Sequence, residues 1–322
     1  MNTLLPPPPR PWQAWAMALR PASLVLAIGP VWVGAAVAFF HTGELPLGLT
    51  TTALLAALLM QAITNLQNDV GFTARGCAQV GQHVGLPRAT AQGWLSLAQV
   101  RWVIGVLCLV ATSLGLVLLI QRGWPVLAIG ATSLLAALAY MGGPKPIAYT
   151  PWGELTVWVF FGWVAVLGTE WLLSDRVTVL GACAAAAVGS LSAAALAVNN
   201  HRDMAHDRLA GRRTLAVWLG PAASARLLCV WLLLPFAMCG VVWAHTHEPW
   251  LLLPLLGLPH AMGLMRRLPR CTTGADYNAL LLGVFRSELA FAAVSSSHQA
   301  WWSGTPSLRK KKPMGHMLLK PN

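Results

Sequence analysis

Long apolar runs alternate with short polar or Gly/Pro-rich breaks along almost the whole chain. Nine runs stand out, at roughly 22–41, 48–66, 101–121, 124–142, 154–174, 177–198, 224–245, 249–265 and 284–303. A helix needs about 20 mostly apolar residues to cross a bilayer, and each run approaches that length. Gly123-Trp124-Pro125, Gly142-Gly143-Pro144-Lys145-Pro146, Ser174-Asp175-Arg176 and Gly220-Pro221 punctuate them, as turn-forming residues do. The pattern predicts an all-α integral membrane protein with about nine transmembrane helices. Residues 1–21 then form a cytoplasmic N-terminal arm, 22–303 a single membrane domain and 304–322 a basic C-terminal tail. The last run is the poorest, since it includes Glu288, Ser295-Ser296-Ser297-His298 and Trp301-Trp302-Ser303.

Composition removes the soluble alternatives. Of 322 residues, 56% are hydrophobic and only 10% charged, against about 25% charged in soluble domains. A net charge of +12 would suggest nucleic acid in a soluble protein. Here the basic residues lie between apolar runs, where they set topology and meet anionic lipid or phosphate, so no nucleic-acid partner is expected. With the N-terminus inside, the inner segments hold Arg10 and Arg20, then Arg75, Arg88 and Arg101, then Lys145. They continue with Arg202, Arg208, Arg212, Arg213 and Arg226, then Arg266, Arg267, Arg270 and Arg286. Outer loops hold only Arg122 and Arg176. That asymmetry is what the positive-inside rule requires, with the N-terminus inside; the location expected is a bacterial-type inner membrane. Nine spans leave the tail, with Arg309, Lys310, Lys311, Lys312 and Lys320, on the outer side against the same rule. The six cysteines are scattered without metal-ligand spacing and read as packing residues. No cleavable signal peptide is expected at the N-terminus.

Against this background two amide-rich, acidic segments are conspicuous. One is Asn65-Leu66-Gln67-Asn68-Asp69; the other runs from Asn199-Asn200-His201-Arg202-Asp203 to Asp207-Arg208. Three of the ten acidic residues fall there, each following an apolar run. Charge at such a place is costly unless it meets water, a metal or a polar ligand. Asn199, Asp203 and Asp207 are spaced four apart and share a face if helical. They offer oxygen ligands for Mg2+, which keeps several waters and bridges to phosphates. Arg202, Arg208, Arg212 and Arg213 supply guanidinium groups suited to diphosphate. In the first segment Asn65 and Asp69 are four apart with Asn68 adjacent, and Arg75 and Arg88 follow. Each residue also has a plainer role: an inner-loop arginine sets topology, and a lone Asp caps a helix. His201 and His206 read as wet-loop histidines rather than ligands. Together the residues point to a membrane enzyme acting on a diphosphate attached to something apolar. Its reaction would be ionisation of an allylic diphosphate and capture of the cation by an electron-rich acceptor.

The chain resembles the UbiA-type intramembrane prenyltransferases, over about Trp12 to Arg286. The strongest stretch is Asn199-Asn200-His201-Arg202-Asp203 through Asp207, Gly211, Arg212 and Thr214. It is similar to the second motif of the branch that prenylates 1,4-dihydroxy-2-naphthoate in menaquinone synthesis. Leu19-Arg20-Pro21, Asn65 to Asp69, Gly85 to Gly93, Tyr140 to Pro146 and Phe160-Phe161-Gly162-Trp163 support it. The resemblance implies nine helices around a central cavity open to the cytoplasmic side and to lipid. It also implies Mg2+ as cofactor, a polyprenyl diphosphate donor and an aromatic acceptor. The product would be demethylmenaquinone, with CO2 and diphosphate released. Carried over by position, Asp203 and Asp207 hold one Mg2+ beside Asn199, and Asp69 holds the other with Asn65 and Asn68. Asn65, Arg75, Arg88, Lys145, Arg202 and Arg212 meet substrate.

One departure stands out. The family's first motif usually carries a second Asp three residues on and often a third after the glycine; here those positions are Phe72 and Ala78. The alternatives left open are another acceptor (4-hydroxybenzoate, a porphyrin or a chlorin) and a transporter or lipid-binding protein on the same scaffold. The Asn199-Asn200 pair argues against the first. The nearly charge-free interior, Glu154 and Glu170 excepted, argues against the second.

Overall fold

The computed structural model describes residues 9–80, 85 and 87–296. The start of the N-terminal arm, residues 297–303 of the last apolar run and the 304–322 tail lie outside the described residues. So do 81–84 and residue 86, around the start of the Gly85–Gly93 stretch.

The fold is helical throughout. A short α1 (Pro11–Leu19) leads into α2 (Val25–Thr42), α3 (Leu47–Ala74), α4 (Leu97–Arg122) and α5 (Pro125–Met141). The fifth run forms α6 (Gly153–Val157), a π-helical stretch (Trp158–Leu167) and α7 (Gly168–Ser174). Then come α8 (Val179–Arg202), the single-turn α9 (Met204–Leu209), α10 (Leu215–Thr246), α11 (Leu258–Arg267) and α12 (Gly274–Ser296). Seven helical stretches among the described residues are long and apolar enough to cross a membrane. The fourth run, α5, is shorter. The eighth starts as a 3-10 stretch (Pro249–Gly257) before α11, because prolines at 249 and 254 remove amide donors.

Several expected boundaries need correction. The second run does not end at 66: α3 continues to Ala74, because amides and Asp69 do not break a helix and the first breaker is Gly76, with φ +71. The first polar segment therefore lies inside a helix. The last helix begins at Gly274 rather than 284, so Arg286 is not a loop residue but sits on the exposed side of α12. Its start is a capping arrangement: the Thr273 amide donates to Asp276 Oδ2 at 2.8 Å, and the Asp276 amide donates to Thr273 Oγ1 at 3.2 Å. Periodicity misses this because the first turns are polar. Likewise α10 starts at Leu215, nine residues early, and bends at Gly220, whose φ of +77 is reserved for glycine.

Two apolar clusters build the bundle. One joins α2, the π stretch, α8, α10 and α12; the other joins α1, α3, α4 and α5. The most enclosed helix is α8, and its Ala, Gly and Ser residues explain why. A Cβ on Gly189 would meet the Trp158 carbonyl oxygen at 2.6 Å, and one on Gly162 the Ala185 carbonyl oxygen at 2.4 Å. Backbone thus touches backbone, as small residues allow in membrane helices. The wide π turns accommodate this contact with the middle of α8.

Candidate active site

Between the two clusters lies a cavity of about 420 Å³. Its deep walls are apolar, with Leu26, Val31, Phe160, Phe161, Val164 and Phe285. Its polar end carries Arg20, Asn68, Arg88, Asn199, Asp203 and Arg212. The two segments singled out in the sequence meet there.

The second segment wraps the end of α8. Asn199 lies in the last turn and donates from Nδ2 to the Ala195 carbonyl at 3.3 Å, which leaves its amide oxygen free to accept from or coordinate a ligand. Asp203 ends the helix at φ −92, ψ 7 and lines the cavity. Arg202 donates to both of its oxygens, from Nε at 2.7 Å and Nη2 at 2.8 Å. Arg202 Nη1 also reaches Asn278 Oδ1 on α12 at 3.1 Å. The Asp207 amide bonds back to the Asp203 carbonyl at 2.8 Å, which keeps the turn helical. Asp207 itself is fully buried behind the cavity wall. Its Oδ1 accepts from Arg212 Nη1 at 2.7 Å and its Oδ2 from Thr214 Oγ1 at 3.4 Å. Burial pushes its carboxyl up to about 6, opposed by the Arg212 charge. Asp207 thus aims Arg212, which reaches the cavity while its Nε donates to the Ala148 carbonyl.

The first segment divides in the same way. Asn68 and Asn65 line the cavity. Asn65 Nδ2 donates to the Leu19 carbonyl at 2.8 Å and to Ser23 Oγ at 2.9 Å, fixing the turn that presents Arg20. Asp69 is 1% exposed and lies outside the cavity wall. Its Oδ2 accepts the Thr90 amide at 3.0 Å, and Thr90 Oγ1 donates to the Asp69 carbonyl at 3.0 Å. Phe72 stacks on His206 with ring centres 5.6 Å apart, and the Arg88 guanidinium sits 4.2 Å from its ring centre. Arg75 donates to the Gly143 carbonyl and lies over the Tyr149 ring. Lys145 is exposed in the loop after α5. Neither Arg75 nor Lys145 is part of the cavity wall.

Three contributors escaped sequence reasoning. Arg20, named for topology and within the Leu19-Arg20-Pro21 match but given no role in the site, lines the cavity because its left-handed φ of +51 turns the chain between α1 and α2; Pro21 signalled only that the helix ends there. Thr90 carried no signal. Glu154, noted in the sequence only as an interior charge, accepts from Asn200 Nδ2 at 2.9 Å. His201 bonds Ser224 and His206 bonds the Cys77 carbonyl, so both histidines have structural partners.

Among the described residues no three His, Cys, Asp or Glu side chains converge. Asp203 is the one carboxylate among the described residues lining the cavity, alongside the amides of Asn65, Asn68, Asn199, Asn200 and Asn278. That set suits a hard cation completed by phosphate oxygens and water.

Residues 27–287 match the UbiA prenyltransferase family. The chain is 32% identical over 301 residues to a 1,4-dihydroxy-2-naphthoate octaprenyltransferase of Escherichia coli strain K12, covering 86% of this chain and 97% of that one. It is 36% identical over 254 residues to the enzyme of the same description from Mycobacterium tuberculosis, covering 77% and 83%. A UbiA homolog from Archaeoglobus fulgidus, solved bound to GPP and Mg2+, superposes with a TM-score of 0.66 at 14% identity, over 89% of this chain and 99% of that one. The match to the family model spans most of the chain, the bundle is that of its solved members, and the chain therefore belongs to the UbiA prenyltransferase family.

Proposed function

We propose that the protein transfers a polyprenyl group from polyprenyl diphosphate to 1,4-dihydroxy-2-naphthoate. The single observation that carries this is Asp203 with Asn199 at the arginine-lined mouth of an apolar cavity. The naphthoate acceptor is supported by the named function of the relatives. The setting is a nine-helix bundle in a bacterial inner membrane, with the polar end of the cavity facing the cytoplasm.

Asp203, Asn199 and Asn68 would hold Mg2+, and Arg88, Arg212 and Arg20 would bind the diphosphate. When bound, Mg2+ neutralises charge on the diphosphate as it leaves. The allylic C–O bond breaks, and its electron pair departs with the diphosphate. Phe160, Phe161 and Phe285 wall the cation away from water and present aromatic faces to it. The acceptor ring then forms the new C–C bond. Its carboxylate leaves as CO2 and returns an electron pair to the ring, giving the reduced form of demethylmenaquinone. Asp207 and Asp69 are positioning residues, for Arg212 and for the Thr90 backbone. Asn65 holds the turn bearing Arg20, Arg202 orients the Asp203 carboxylate, and Arg75 ties the end of α3 to the loop bearing Lys145.

The test uses membranes containing the protein, polyprenyl diphosphate and carboxyl-labelled 1,4-dihydroxy-2-naphthoate. Labelled CO2 should appear in step with prenylated product. Prenylation of 4-hydroxybenzoate but not of the naphthoate would refute the acceptor.

A further inference from the structure

The region around Asp69 is built for something other than a metal. Asp69 Oδ2 is engaged by the Thr90 amide at 3.0 Å, and the side chain is shut off from the cavity. One helical turn on, the place for a second carboxylate is taken by Phe72, which is 2% exposed. Ala78 lies on a short 3-10 turn outside the cavity wall. Among the described residues no oxygen cage for a divalent ion forms there.

What does reach the cavity from this side is a cation. The Arg88 guanidinium lies 4.2 Å from the Phe72 ring centre, within cation–π range. Its Nη1 is 3.4 Å from both the Asn68 carbonyl and Oδ1, and its enclosed Nε has no partner. No carboxylate among the described residues pairs with it. Burial and the Arg20 charge push it down to about 9, with Asp69 offsetting part of this. A buried cation with no carboxylate in direct contact is expensive, so a bound anion would complete the site. Arg20 and Arg212 line the same end.

We propose that this chain binds its prenyl diphosphate with a single Mg2+, at Asp203, and that the Arg88 guanidinium seated on Phe72 replaces the second ion. The inference rests on the diphosphate reading above and concerns how that site is charged.

The experiment counts Mn2+, as the paramagnetic stand-in for Mg2+, on the full-length protein in detergent with the unreactive geranyl thiolodiphosphate. One Mn2+ per protein is expected; two would overturn the proposal. This count uses wild type and does not depend on any variant folding. Arg88→Ala should weaken analogue binding at least about tenfold, without recovery at higher Mn2+. Phe72→Leu should weaken it roughly threefold to thirtyfold, the range of a partly desolvated cation–π contact. Unchanged affinity in either variant overturns the assignment. One Mn2+ with no prenylation of the naphthoate removes the acceptor reading and leaves this inference standing. Prenylation with two bound ions does the reverse, and an analogue that does not bind overturns both.

Discussion

The Asp207–Arg212 pair offers a quantitative test of how the site is held. Asp207 is fully buried, its partner's side chain is 11% exposed, and the contact is 2.7 Å. A hydrogen bond between charged groups contributes about 1.5–3 kcal/mol. Leaving one partner of a buried pair unmatched costs about 3–5 kcal/mol. Arg212 borders a polar cavity end that admits water, so the lower range applies, and we expect a coupling of about 2 kcal/mol. The perturbation is a double-mutant cycle of Asp207→Asn and Arg212→Gln, both near-isosteric. The assay is KM for the prenyl diphosphate, with thermal midpoints in detergent as the stability readout. A coupling of about 2 kcal/mol corresponds to roughly thirtyfold non-additivity. Additive effects, with coupling near zero, would refute the claim that Asp207 acts through Arg212.

Activity should show an acidic limb near pH 6, where Asp207 takes up a proton and releases Arg212; Asp207→Asn should abolish that limb. The stability sign is opposite. Its carboxyl is raised in the folded state, so folding binds extra protons between about pH 4 and 6, and the thermal midpoint should fall as pH rises through that window in wild type but not in Asp207→Asn. Gly189→Val should destabilise the fold by about 2 kcal/mol and so lower the thermal midpoint, since its Cβ would press on Trp158 and Gly162 backbone; an unchanged midpoint would mean that α8 does not pack this closely. Asn200→Ala should cost about 1–3 kcal/mol by stripping the partner from buried Glu154, again read by thermal denaturation.

Most of the architecture is visible in the sequence because the bilayer imposes one rule, the length of an apolar run. It fails where that rule does not operate. The polar opening turns of α12 look like loop, yet Thr273 and Asp276 cap a helix that already includes Asn278 facing the site. The π turns at Trp158–Leu167 arise from tight contact with α8, which periodicity along one strand of chain does not encode. The site shows the same limit. Asn199 and Asp203 were legible from composition and spacing. That Asp203 borders the cavity while Asp207 and Asp69 lie behind it was not, because the helix ends at Asp203 and Thr90 claims Asp69 from a distant loop. Arg20 and Arg75 are alike as inner-side arginines, and only the backbone turn at Arg20 separates the one in the cavity wall from the one outside it.

Asp203 carries the central claim. The most direct measurement is prenyl transfer to 1,4-dihydroxy-2-naphthoate by membranes bearing wild type or Asp203→Asn, at saturating Mg2+ and labelled polyprenyl diphosphate. The account predicts product from wild type and a loss of at least about a hundredfold in the variant, the scale of removing a preorganised electrostatic contact to the leaving charge. Equal rates from the two proteins, or no prenylated product from wild type, would contradict it.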